Sequence, residues 1–260
     1  MSRRRTSGFT LVEIIVVLGI IIMLAGLLFP LIGRAKEAGK RAQCLNNLRS
    51  LTQAWIAYAA DNDRHLCGGT GKAWIDKSPP PDPKNNPGPI KRGALYPYLN
   101  TIDPYRCPDD NSDITFNPCS YAINGRLNGG ASTPSRIDDI EAPARTFVFI
   151  EQAAAGQVIS NFFTPPVYPG VPILSFNGWP GENHRGIKAY AEGATIAFAD
   201  GHAIFWSYSD TRTGNLKEAA AAGIGALDTN SPDVFQLMAW SGGPLPPDPP
   251  KPYDPTKPWP

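Results

Sequence analysis

Apolar residues fall along the chain in three patterns, and each predicts a different element. From Phe9 to Ile32 they form an almost unbroken run, FTLVEIIVVLGIIIMLAGLLFPLI, whose one charge is Glu13. A stretch of roughly 20 apolar residues crosses a bilayer core as a helix. From Gly33 the pattern turns periodic: Cys44, Leu48, Leu51, Trp55 and Tyr58 recur every three or four positions, one stripe of a helix. Lys36, Glu37, Lys40, Arg41, Asn47 and Arg49 read as its polar face. No stop signal separates the two patterns. One helix from about Phe9 to about Ala60 is therefore predicted, roughly 80 Å long at about 1.5 Å per residue. The third pattern is a set of short apolar runs. Arg145 to Glu151 (RTFVFIE) is rich in β-branched and aromatic residues and predicts a buried strand. Ala194–Ala199 and Ala203–Tyr208 flank Asp200-Gly201, a hairpin signal whose type I′ turn takes positive φ.

Proline and glycine punctuate the rest. Ser78 to Pro89 (SPPPDPKNNPGP) reads as a surface loop that neither a helix nor a central strand would accommodate. Gly93 to Asn100 predicts a short helix or turn leading to Cys107, and Phe162 to Pro180 a long loop. Ser231-Pro232-Asp233 opens a short helix to Trp240, with Ser as N-cap and Pro at the first helical position. Gly242-Gly243 ends it. Residues 244–260 hold nine prolines in 17 positions and predict extended polyproline II or disorder, a solvated spacer in function.

Composition narrows the function classes. The chain has 260 residues, a formal net charge of +1 and a sequence pI near 7.6, so bulk charge calls for no nucleic-acid partner. Arg3, Arg4 and Arg5 precede the apolar run and place the N-terminus in the cytoplasm by the positive-inside rule. The run is longer than a signal-peptide core and has no A-x-A site after it. A lipoprotein signal would need an early cysteine, and the first is Cys44. A plain membrane anchor leaves Glu13 unexplained, because a carboxylate at mid-membrane costs roughly 2.5–3.5 kcal/mol on insertion scales. Pro30 removes a backbone donor and should kink or locally melt the helix, making Gly19 to Pro30 its flexible section. The four cysteines, Cys44, Cys67, Cys107 and Cys119, contain no C-x-x-C pair, which argues against a zinc ribbon or thioredoxin motif. In an exported chain they suit two disulfides in any of three connectivities; four buried thiols are the other reading.

Gly8-Phe9-Thr10-Leu11-Val12-Glu13 resembles the prepilin peptidase site of type IV pilins and type II secretion pseudopilins. The resemblance rests on a short basic leader ending in Gly, then Phe, then Glu four residues on, then the apolar run. It implies cleavage between Gly8 and Phe9, methylation of the new Phe9 amine, and pairing of Glu13 with the Phe9 amine of a neighbouring subunit in a filament. Pairing of that kind offsets the cost of burying both charges and fixes axial register. A second resemblance is to a subfamily of large pseudopilin-like proteins. It rests on Cys44-Leu45-Asn46-Asn47-Leu48, on Tyr58 through Asp61-Asn62-Asp63, on Arg106-Cys107-Pro108, and on His184 followed by Asp200-Gly201. The gap from His184 to Asp200 is longer than the subfamily pattern, and an insertion around Lys188 to Glu192 accounts for it.

These resemblances imply an α+β pilin-like fold: a long N-terminal helix packed on a small antiparallel sheet, with long loops. The implied organisation is a leader (1–8), a membrane or filament-core helix (9–32), the amphipathic half of the helix (33–60), a globular head (61–243) and the proline-rich tail (244–260). The implied function is structural, as a pseudopilus subunit anchored in the inner membrane with its head in the periplasm. Implied partners are further copies of itself, the prepilin peptidase, an inner-membrane assembly platform and its ATPase, other pseudopilins, and membrane lipid. A surface pilin for adhesion, motility or DNA uptake is one alternative. A membrane-anchored binding module that does not polymerise is another.

No catalytic motif competes with that reading. Asp200 and His202 flank a turn, no G-x-S-x-G nucleophile accompanies them, and a hairpin accounts for Asp200-Gly201. Asp109, Asn111 and Asp113 begin like a calcium loop, but Ile114 stands where an EF-hand has Gly and Ser120 where it has Glu. Calcium binding by related pseudopilins is what the resemblance adds there. The expectation is no cofactor, with a structural calcium ion as the exception.

Overall fold

A computed structural model describes residues 11–68, 73–76, 88–110, 119–127, 134–151, 161–162, 193–208, 236 and 240. The chain divides into two compact units, Met1–Gly39 and Lys40–Pro260. Helix α1 covers Leu11–Asp61. Its backbone is helical through Gly19, Gly26 and Pro30 in the single chain. Proline removes only one helical hydrogen bond, and the Leu- and Ile-rich flanks propagate the helix on either side.

The second unit is built on a sheet of β1 (Tyr121–Asn124), β2 (Phe147–Glu151), β3 (Asn161–Phe162), β4 (Gly193–Phe198) and β5 (Ala203–Ser207). Its strand order is β3-β1-β2-β4-β5. Four strands pair antiparallel, as expected, while the two-residue β3 joins the β1 edge in parallel. The predicted buried strand is β2, flanked on both sides and buried at all five positions. A register shift between Phe147 and Phe149 breaks its alternation. As a result Val148 and Phe149 both belong to the apolar cluster of α1, while Phe147 and Ile150 belong to a second cluster. A bulge does this by adding one residue to one strand of the pair.

The predicted helical stripe is the heart of the first cluster. Cys44, Leu48, Leu51 and Trp55 are fully buried there, with Trp74, Tyr105, Tyr121 and Phe149. Burial contributes about 1.5–3 kcal/mol for each large aliphatic or aromatic side chain. Trp74 stacks on Tyr105 with centroids 5.8 Å apart and meets Phe149 at 5.1 Å.

Two local expectations are corrected. Pro89 lies in a short helix, α2 (Gly88–Arg92), buried with Ile90, because proline is tolerated in a helix's first turn, where its missing N–H has no partner. The Asp200-Gly201 hairpin joins β4 to β5 but has no type I′ turn. Phe198 N donates to His202 O, Gly201 N donates to Phe198 O, and positive φ falls on Gly201 (+96°) and not on Asp200. Ala199, Asp200 and Gly201 therefore form a three-residue loop, a type I turn closed by a glycine bulge. Tyr96–Leu99 is α3, which fulfils the short helix expected before Cys107. Of the Ser231–Trp240 helix only Gln236 and Trp240 are described, both helical. His184, the Phe162–Pro180 loop beyond Phe162, and the proline-rich tail lie outside the described residues.

Candidate functional site

The amino-terminal unit presents an unusual surface. From Leu11 to Leu24 every Leu, Ile, Val and Met side chain is exposed, from 47% at Ile14 to 74% at Leu11. These residues occupy all sides of the helix. A soluble amphipathic helix carries an apolar stripe, whereas one apolar all round is built to be enclosed. Glu13 lies in the first turn of α1 and is exposed. Gly8 and Phe9 lie outside the described residues. Among the described residues no helix is long and apolar enough to cross a membrane; the side chains of residues 27–31, inside the apolar run, are not among them.

Where the second unit begins, α1 is fastened to the head by a collar of side chains. Cys44 forms a disulfide with Cys107, with Cα atoms 5.2 Å apart. One turn on, Asn47 Nδ2 donates to the Arg106 carbonyl at 2.8 Å and Asn47 Oδ1 accepts from Gln43 at 3.0 Å. One turn back, Lys40 forms an ion pair with Asp109. The Arg41 guanidinium sits 3.8 Å from the Phe205 ring centroid, and Arg49 Nη2 donates to the Ala203 carbonyl. From the head side, Ser120 Oγ accepts from the Cys107 amide at 2.9 Å and donates to Asp110 Oδ2 at 2.6 Å. The Cys-Pro segment is thus held from both directions.

This collar corrects the sequence reading of the polar face. Asn47 is 5% exposed, and Lys40, Arg41 and Arg49 reach onto the head. The signal was present in the spacing. Lys40 and Asn47 lie four before and three after Cys44, so they share its side of the helix and belong with the buried stripe.

The structure forms one disulfide where two were expected. Cys67 and Cys119 stand as buried thiols, and burial pushes the pKa of each well above the ordinary thiol value. Such thiols stay protonated and poorly reactive. Cys119 Sγ donates to the Tyr121 carbonyl.

Of the calcium-loop residues, Asp109 faces Lys40, while Asn111 and Asp113 lie outside the described residues. Among the described residues no cluster of three His, Cys, Asp or Glu could hold a metal. Asp200 Oδ1 and His202 Nδ1 are 2.6 Å apart at the hairpin tip, where His202 stacks on Phe198 at 4.3 Å. The Y-x-x-D-N-D segment closes α1. Arg64 N donates back to Ala59 O at 2.8 Å, with Asp63 at φ 51° and Arg64 at φ 67°, the left-handed geometry that satisfies a helix's last carbonyls.

A family model of the prokaryotic N-terminal methylation motif matches residues 3–29. Among curated proteins, the type II secretion system core protein G of Dickeya chrysanthemi is 31% identical over 150 residues, covering 50% of this chain and 98% of that protein. The protein of that name from Pseudomonas aeruginosa is 29% identical, covering 50% of this chain and 92% of the relative. The one from Pectobacterium carotovorum subsp. carotovorum is 38% identical over 109 residues, covering 38% and 70%. No solved structure matches the chain.

Proposed function

The chain belongs to the family of type II secretion system core protein G, a pseudopilin family, and from that premise we propose that it is a non-enzymatic subunit polymerised into a pseudopilus through the first half of α1. The observation that carries this is the helix from Leu11 to Leu24, its apolar side chains exposed on every side, which lies within the sequence that the methylation motif matches. Further copies of the same helix are the enclosure such a surface calls for, with membrane lipid as the enclosure before assembly. In this reading the peptidase cuts between Gly8 and Phe9 and the Phe9 amine is methylated. Glu13 pairs with that amine on the next subunit, because a carboxylate enclosed among apolar helices needs a positive partner. The subunit is anchored in the inner membrane with its head in the periplasm. An assembly platform, its ATPase and other pseudopilins are its machinery. The collar transmits force between helix and head: a subunit pulled by its helix would bring its head along through the Cys44–Cys107 bond.

Intact mass and N-terminal sequence of the protein from its native membrane test this. The expected chain starts at N-methyl-Phe9, with a mass lowered by one disulfide. A start at Met1 or Ser2 leaves an uncleaved anchor and removes the basis for a filament.

A further inference from the structure

Cys44 and Cys107 are joined, and both are sealed: Cys44 is fully buried and Cys107 is 1% exposed. Thiol–disulfide exchange needs a thiolate in contact with a sulfur of the donor disulfide, through a mixed disulfide. No donor of protein size reaches either sulfur once the collar is closed. Exchange therefore takes place while the α1 turn Lys40–Asn47 stands off the head, and the closing of the collar completes it.

The two sulfurs differ in their surroundings. Lys40 and Arg41 lie four and three residues before Cys44 in α1, so both are its neighbours on the helix surface. Cations beside a thiol favour the thiolate, which is the attacking form. In the closed collar Lys40 is held by Asp109 and Arg41 by the Phe205 ring. With the turn lifted, both charges stand beside Cys44. Cys107 has Arg106 before it but Asp109 and Asp110 two and three residues on, a net negative neighbourhood that disfavours its thiolate. Cys107 is also pinned in the head. Ser120 Oγ accepts from its amide and donates to Asp110, while the Ser120 amide donates to the Tyr105 carbonyl. Cys67 and Cys119 are buried thiols whose burial keeps them protonated, so they are poor attackers.

We propose that the chain is the substrate of a thiol–disulfide carrier protein, with Cys44 as the attacking cysteine and Cys107 as the resolving one. The Cys44 thiolate attacks one sulfur of the carrier's disulfide. The carrier's S–S bond breaks, a Cys44–carrier bond forms, and the carrier's other sulfur leaves as a thiolate. Closing the collar then brings Cys107 onto Cys44, and the Cys107 thiolate displaces the carrier's remaining sulfur. The carrier ends reduced by two electrons, this chain ends oxidised at Cys44–Cys107, and the two thiol protons pass to the carrier's thiolates through water. The same closure seats Lys40 on Asp109 and Asn47 on the Arg106 carbonyl, so release of the carrier and fastening of helix to head are one event. The periplasmic head of the reading above supplies the oxidising compartment in which such a carrier works. The test reads cysteines alone, so its failure leaves the processing at Gly8 and Phe9 untouched.

For the test, the full processed chain in detergent micelles is reduced, freed of reductant and given glutathione disulfide. Samples are quenched with acid at intervals, and adducts are located by peptide mass spectrometry. The parent is expected to carry glutathione first on Cys44, an adduct that decays into the Cys44–Cys107 bond. Cys107→Ser accumulates the adduct on Cys44, whereas Cys44→Ser acquires one on Cys107 roughly threefold more slowly. Lys40→Gln moves the pH at which adduct formation on Cys44 rises upward, and Lys40→Arg restores it. A first adduct on Cys107, Cys67 or Cys119 in the parent overturns the proposal, as do equal rates in the two serine variants. Absence of a Cys44 adduct from both the parent and Cys107→Ser overturns it as well. The parent's first adduct decides the matter even where a serine variant fails to fold.

Discussion

Cys44 and Asn47 are the residues on which the join of helix and head turns. The Cys44–Cys107 bond spans a sequence separation of 63. In the chain-entropy account a loop of that length contributes about 4 kcal/mol by restricting the unfolded chain. Cys44→Ser is expected to lose stability of that order. In urea titrations the parent with reductant should approach the variant, while reductant leaves the variant itself unmoved. Equal midpoints in parent and variant would remove the staple from the account. Asn47 acts differently, by donating to the part-buried Arg106 carbonyl beside that bond. Asn47→Ala removes that hydrogen bond, for an expected cost of about 0.5–1.5 kcal/mol. A double-mutant cycle with Cys44→Ser should show coupling between them, because both hold one segment.

At the scale of elements, the hairpin tip is where titration matters. Burial raises the Asp200 pKa, but hydrogen bonds from the His202 ring and amide outweigh it and hold the carboxyl below its ordinary 3.8. A carboxyl depressed in the folded state contributes stability that is present above the ordinary value and is lost as the pH falls through the lower folded value. Asp200 and His202 are well exposed, so the contribution is under about 1 kcal/mol. Asp200→Asn should therefore narrow the loss of stability on acidification below pH 3.8 and leave the neutral-pH difference small. Thermal melts of parent and variant across that range read it out; parallel curves would contradict it. Gly193 serves the same hairpin at its open end. A Cβ there would lie 2.1 Å from the Trp206 carbonyl oxygen, closer than any real contact, so β4 and β5 can pair there only over glycine.

For the whole molecule, the division near Gly39 separates two kinds of stability. The head has its own core, collar and sheet, whereas the apolar side chains of α1 from Leu11 to Leu24 are exposed. Glu13→Ala should therefore leave the head's urea midpoint unchanged and abolish filament formation when expressed with the secretion machinery, as seen by shearing and electron microscopy. A variant that assembles normally would refute the pairing of Glu13 with the Phe9 amine. The same experiment discriminates against a membrane-anchored module that does not polymerise, whose activity would not depend on Glu13.

The sequence by itself determined whatever depends on local order along the chain. The apolar run with Glu13, the stripe through Cys44, Leu48, Leu51 and Trp55, the buried strand at Phe147–Glu151 and the hairpin at Asp200-Gly201 are all periodicity or turn chemistry, set by a few neighbouring residues. Tertiary structure decided what needs two distant segments to meet. It chose Cys107 as the partner of Cys44 and left Cys67 and Cys119 as thiols, because disulfide pairing depends on Cα separation in space. It turned Lys40, Arg41, Asn47 and Arg49 from a solvated face into a collar, because a polar side chain is solvated only where no other segment covers it. It placed a bulge in β2 and a glycine bulge in the hairpin, because strand register is settled between partners and not within one strand.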